Sequence, residues 1–229
     1  MKRRSYLRAA GLVGATGLAG CVGGSPLGLG DANPNVALGK PDRDADVSSE
    51  DLPYPAWGQQ VPDVTIPAPL SGETVAVRDI EGPHFHTFFF TNCMTVCPVL
   101  ISALREVQIH SIEEGYADAV SFYPVTFDPA RDDAEAFREE AEQMNVDMDA
   151  GNWQFLRPDG KEAARRVVDE EFGVFFQKQE NGDGPYMFAH LGLILLVNGD
   201  GYVERAYRGS EPDEQTLIED LRRVRNASN

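Results

Sequence analysis

His84-Phe85-His86-Thr87-Phe88-Phe89-Phe90-Thr91-Asn92-Cys93-Met94-Thr95-Val96-Cys97-Pro98 is the stretch on which the fold turns. Its first seven residues are aromatic and almost unbroken in their apolarity, the composition of a strand buried on both faces. The run stops at Thr91-Asn92, and two cysteines follow, four residues apart. Beyond them Leu100, Ala103, Leu104 and Val107 recur at helical spacing, which predicts a helix over 99–112. Pro98 falls just inside the start of that helix, where its missing N–H costs little.

Outward from this centre the elements alternate. Upstream, 64–66 and 73–77 are short alternating runs around Ser71-Gly72, consistent with an N-terminal hairpin. Downstream, 120–127 reads as a strand broken by Asp128-Pro129. A charged helix over 132–144 follows, with Ala134, Phe137, Ala141 and Met144 on one stripe. Residues 153–156 read as a short strand and 162–172 as a helix ended by Gly173, and Asn181-Gly182-Asp183-Gly184-Pro185 reads as a turn-rich loop. A second apolar strand is expected at 190–197, turning through Asn198-Gly199-Asp200-Gly201 into an antiparallel partner at 202–207. A last helix over 213–225 turns Leu217, Ile218 and Leu221 inward. This order describes an α/β domain over 61–229, a mixed central sheet flanked by helices. A reactive cysteine loop between a central strand and a helix is the thioredoxin-like arrangement.

The first 20 residues read as an export leader. Lys2, Arg3, Arg4 and Arg8 precede an uncharged run of small residues from Ala9 to Gly20, too short for a membrane span of about 20 apolar residues. Arg3-Arg4-Ser5-Tyr6-Leu7 resembles a twin-arginine signal, and Leu18-Ala19-Gly20-Cys21 resembles a lipobox, with Cys21 the lipid-carrying residue. The alternative is an ordinary signal with a stray cysteine. Residues 21–60, rich in Gly, Pro, Asp and Ser, are expected to form a flexible acidic tether to a membrane anchor. The formal net charge of −17 includes four basic leader residues and no acidic ones, so the remainder is more acidic still. Such a chain repels nucleic acid, which is excluded as a partner. Acidic residues spread over the whole chain suit a halophile, where salt screens their repulsion; an acidic docking face is the alternative.

With Cys21 assigned to lipid, only Cys93 and Cys97 remain, which excludes a disulfide framework. Cys-x-x-x-Cys sets two sulfurs about one helical turn apart, at a helix N-terminus whose positive end lowers thiolate pKa. Thiolates are the nucleophiles of disulfide exchange and soft ligands for Cu(I), so both chemistries stay open. In exchange, Cys93 would attack and Cys97 resolve. A plain disulfide closing so short a loop would gain little chain-entropy stabilisation. Two thiolates do not close a metal site, and four histidines are available as a third ligand. His190 follows a loop ending at Ala189 and opens the second apolar strand, as a ligand or as a hydrogen-bonded strand end. His84 and His86 are expected at the solvated end of their strand, and His110 on an exposed helix face.

The sequence resembles the Sco/SenC family of thioredoxin-like copper proteins. Phe88 to Pro98 is similar to the family's strand followed by Thr-x-Cys-x-x-x-Cys-Pro. Val125-Thr126-Phe127-Asp128-Pro129-Ala130-Arg131-Asp132 is similar to its Asp-Pro-x-Arg-Asp segment. Met187-Phe188-Ala189-His190 stands where the family has its ligand histidine, and Leu195-Leu196-Val197-Asn198-Gly199-Asp200-Gly201 resembles the hairpin that follows. The resemblance implies a copper site of Cys93, Cys97 and His190, for Cu(I) or also Cu(II). It implies delivery of copper to the dinuclear site in the copper-bearing subunit of a haem–copper cytochrome oxidase, or reduction of that subunit's cysteines with the help of a thiol reductant partner. Met94-Thr95 replaces the Pro-Asp often found between the cysteines, and Ala189 and Leu191 flank the histidine in place of Asp and Ser.

Overall fold

The computed structural model describes residues 33–41, 47–182 and 184–227. The leader and Cys21 lie outside them. Strand β3, His84–Phe89, is buried along its whole length, as its unbroken apolar run requires. It lies between β4, Ser121–Thr126, which runs parallel to it, and β7, Leu193–Val197, which runs antiparallel. Strand β8, Val203–Arg208, completes a four-stranded sheet of order β4-β3-β7-β8. The parallel pair needs a crossover, and α1, Val96–Glu113, supplies it. The segment read as a strand at 153–156 forms isolated parallel bridges, Trp153 to Phe122 and Leu156 to Val125, on the outer side of β4. A separate hairpin, β1 (Thr65–Ala68) with β2 (Glu73–Ala76), stands where expected.

Helix α2, Ala134–Gln143, is capped by the Asp133 side chain, which accepts from the Glu135 and Ala136 N–H groups. Helix α3, Lys161–Ala164, passes into a π-helical stretch, Arg165–Glu171. Helix α4, Glu214–Ala227, packs on α1. The rings of Phe85 and Phe122 stack at 5.7 Å and those of Phe137 and Phe155 at 5.0 Å, filling the core around β3. Each such ring contributes about 1.5–3 kcal/mol through burial.

Three expectations are corrected. The first concerns the region after α3. Beyond Gly173 the chain forms a second hairpin, β5 (Phe176–Asn181) with β6 (Gly184–His190), and the turn-rich loop is its tip. His190 therefore ends β6 instead of opening the apolar strand, which begins at Leu193. The break comes at Gly192, where a Cβ would stand 2.4 Å from the Gly209 carbonyl oxygen.

The second correction concerns His84 and His86, which are fully buried. Their strand is internal to the sheet, and Phe172 closes over the His86 ring at 5.8 Å. His110 is half-buried beside Tyr116.

The third concerns the tether. Residues 33–41 and 47–60 are not free chain but pack on the domain, with Leu38, Tyr54 and Ala56 buried. The cause is Glu204 of β8, a buried carboxylate satisfied by N–H groups of this segment. It accepts from the Ala37 N–H at 2.9 Å, the Leu38 N–H at 2.9 Å and the Asn198 side-chain amide at 2.8 Å. The Trp57 indole donates to the Leu38 carbonyl at 2.8 Å, closing the strap. Glu204→Ala leaves these donors unsatisfied and is expected to cost about 2–4 kcal/mol. Hydrogen exchange should show lost protection at the Ala37 and Leu38 amides.

Candidate metal and thiol site

The site lies where β3 ends and α1 begins. Cys93 precedes the helix, and Cys97 sits in its first turn. Thr95, at the N-cap position, makes no side-chain cap hydrogen bond. The first-turn N–H groups are thus left to other acceptors, and the Cys97 N–H points at Cys93 Sγ, 3.5 Å away. The Thr95 hydroxyl approaches the same sulfur at 3.5 Å. Cys93 and Cys97 are both free and buried.

These contacts divide the pair. Hydrogen bonding from Cys97 holds the Cys93 thiol down to about 3, against burial and with help from Thr95. Burial pushes the Cys97 thiol up, and the neighbouring Cys93 sulfur pushes it further. With the Cys97 N–H and the Thr95 hydroxyl both within 3.5 Å of its sulfur, Cys93 is the favoured site of negative charge, and Cys97 the thiol that resists ionisation.

His190 reaches the pair from β6. Its Nε2 stands 3.4 Å from Cys97 Sγ. Its Nδ1 lies 3.1 Å from the Leu191 carbonyl, which only accepts, so Nδ1 carries the hydrogen and Nε2 presents a lone pair. That is the tautomer a metal-ligating histidine needs. Phe127 and Phe90 wall the ring at 4.9 and 6.2 Å and restrict water. The ligand atoms of Cys93, Cys97 and His190 all lie within 4.8 Å of one another. Three ligands around one ion stand about 3.5–4 Å apart, given bonds of about 2.0–2.3 Å, so a modest contraction fits them to a metal. Two sulfurs and one imidazole are a soft donor set, suited to Cu(I). Among the described residues this is the only group of three or more such ligands.

Two supports were not visible in the sequence reading of individual residues. Asp132 accepts from the Thr91 N–H at 3.3 Å and its hydroxyl at 2.6 Å, and from the Thr126 hydroxyl, tying the end of β4 to the start of the cysteine loop. Burial raises the Asp132 carboxyl to about 6, and raises Glu140 on α2 to about 7 with help from the charges of Asp132 and Cys93. On the other side, Asp128 and Arg131 form an ion pair. Arg131 Nη1 donates to the Tyr186 carbonyl at 3.0 Å, and the Tyr186 hydroxyl donates to Asp128 at 3.0 Å. The Asp-Pro-x-Arg-Asp segment flags Asp128, Arg131 and Asp132, but no periodicity points to Tyr186.

A family model described as SCO1/SenC matches residues 70–226. A curated relative, the SCO1 protein homolog of Bacillus subtilis (strain 168), is 26% identical over 141 residues, covering 61% of this chain and 69% of its own. Among solved structures, Bradyrhizobium japonicum ScoI with copper bound has a TM-score of 0.59 and 21% identity, covering 72% of this chain and 98% of its own. BsSco, described as having a disulfide switch and as a member of the Sco family of cytochrome c oxidase assembly proteins, has a TM-score of 0.58 and 22% identity, covering 76% and 96%. At these identities the structural likeness is one of fold, which is thioredoxin-like.

Proposed function

The chain belongs to the SCO1/SenC family, and from that premise we propose that it is a copper metallochaperone for the assembly of a haem–copper cytochrome oxidase. Copper is its cargo. Cys93, Cys97 and His190 hold Cu(I) and pass it, by ligand exchange, to the dinuclear site of the oxidase's copper-bearing subunit. The observation that carries this reading is the convergence of two sulfurs and one correctly protonated imidazole within 4.8 Å. The copper-bound ScoI and the place of BsSco among cytochrome c oxidase assembly proteins support it. The leader and Cys21 support export by the twin-arginine route and lipid anchoring on the outer face of the membrane. Metal titration of the purified soluble domain tests the reading, with one Cu(I) per chain expected and no uptake overturning it.

The division of the cysteine pair favours a second role, reduction of partner cysteines. The Cys93 thiolate attacks one sulfur of a partner disulfide and expels the other as a thiolate, giving a mixed disulfide. Cys97 then loses its proton and attacks Cys93 Sγ, breaking the mixed disulfide and releasing the remaining partner sulfur as a thiolate. The chain ends as a Cys93–Cys97 disulfide, two electrons having passed to the partner, and a thiol reductant restores it. Mass spectrometry after brief iodoacetamide treatment of metal-free protein should find Cys93 alkylated first, at a rate nearly constant between pH 5 and 8 because its thiolate is already formed. A rate rising tenfold per pH unit in that range would exclude a depressed thiol.

A further inference from the structure

We propose that Asp128, Arg131 and Tyr186 form a latch that seats His190, and that its opening leaves the cargo copper on the two cysteine sulfurs, ready for transfer. This rests on the reading of Cys93, Cys97 and His190 as a copper site.

The hairpin β5–β6 shares no ladder with the central sheet, so side-chain contacts must hold it in place. Side chains alternate along a strand, so Tyr186, Phe188 and His190 fall on one face of β6. That face meets the domain at three successive points. His190 reaches Cys97, and Phe188 packs on Phe90 and Phe127 at 5.2 and 5.3 Å. Tyr186 enters a closed ring of polar contacts. Asp128, nearly fully buried, accepts from the Tyr186 hydroxyl and pairs with Arg131. Arg131 donates back to the Tyr186 carbonyl and lays its guanidinium 3.7 Å from the centre of the Tyr186 ring.

At the other end of β6 the chain is fixed by Gly192, whose carbonyl accepts from the Gly209 N–H at 3.0 Å and whose missing side chain permits that approach. His190 thus hangs between the chain's entry into the central sheet at β7 and, four residues back, the polar latch, which side-chain contacts alone make and can release. When it lets go, the hairpin is free to lift about its Gly192 end. The copper–nitrogen bond then breaks, the lone pair returns to Nε2, and the two-sulfur complex has an open position for a partner's ligand. The role of Arg131 and Tyr186 is positioning, since neither supplies a metal ligand.

The test uses the full chain with Arg131→Lys, which loses the planar stack and the fork of donors, and Tyr186→Phe, which keeps the ring and loses only the hydroxyl. Competition with a chromogenic Cu(I) chelator should show affinity about 10-fold lower in Arg131→Lys, the size of effect expected of an outer-shell partner. The loss in Tyr186→Phe should be smaller, and copper should pass to the chelator faster from both. In a His190→Ala background neither substitution should change affinity further. An equal loss in that background would show a merely structural effect and overturn the latch. Hydrogen exchange of the β6 amides in metal-free protein gives a readout independent of copper: faster exchange is expected in both variants, and unchanged protection in Arg131→Lys overturns the proposal. Failure of the wild-type chain to bind copper would instead overturn the site reading, with the exchange data still deciding the latch.

Discussion

Cys93→Ser and Cys97→Ser are each expected to abolish tight Cu(I) uptake, and His190→Ala to weaken it without abolishing it. The difference follows from donor chemistry. Removing one sulfur leaves a single soft ligand and an imidazole, and a serine hydroxyl is a hard donor that Cu(I) does not favour. Removing the imidazole leaves two sulfurs a helical turn apart, still a two-coordinate site. The loss in His190→Ala should exceed the ~10–100-fold that follows loss of an outer-shell partner, because a direct ligand is gone. Competition titration against a Cu(I) chelator reads all three. His190→Ala binding as tightly as wild type would remove His190 from the site, even with the Cys97 contact at 3.4 Å. The same variants separate the two proposed roles. His190→Ala should keep its thiol–disulfide exchange, because neither sulfur is altered.

How much of this was legible depended on where the physical signal sits. The strand before Cys93 was readable because β3 is internal, so every residue is apolar or aromatic and no face is diluted by solvent-facing residues. The same property hid the fate of His84 and His86. A histidine near a strand end reads as solvated, and only the tertiary fact that β4, β7 and Phe172 enclose them reverses that. The cysteine loop was legible because chemistry and spacing coincide in five residues. The hairpin carrying His190 was not. Its first strand, Phe176-Gln177-Lys178-Gln179-Glu180, is mostly exposed, its second is only half-buried, and both lie outside the main sheet, so no continuous apolar run announces a strand. Family resemblance supplied the ligand, and the structure supplied the element. The strap over 33–41 was missed for a related reason: it is held by backbone N–H groups donating to Glu204, and no side-chain pattern encodes that.

Replacing His84 and His86 together by leucine is expected to change how the protein responds to acid. Both rings are buried. The Nδ1 of His84 lies 3.0 Å from the Gly82 carbonyl and that of His86 lies 3.3 Å from the Tyr123 carbonyl, which fixes hydrogen on Nδ1 in each. The two Nε2 atoms have no partner, and the ring centres are 5.1 Å apart. Burial lowers His84 from its ordinary 6.5 to about 4, and lowers His86 in the same direction, helped by His84. On acidification the unfolded chain therefore takes up protons first. Stability is lost as pH falls below about 6.5 and continues to fall until about 4, by about 3 kcal/mol for His84 alone. Asp132 and Glu140 act oppositely: raised to about 6 and about 7, they bind protons in the folded state first and add stability as pH falls from those values toward the ordinary carboxyl range. In the wild-type chain the two trends offset each other. The double leucine variant lacks the histidine trend, so its stability relative to wild type should rise by about 2–3 kcal/mol or more between pH 7 and pH 4.5. Urea unfolding of both proteins across that range measures it. Parallel pH curves for the two would mean that the histidines are not held neutral in the core.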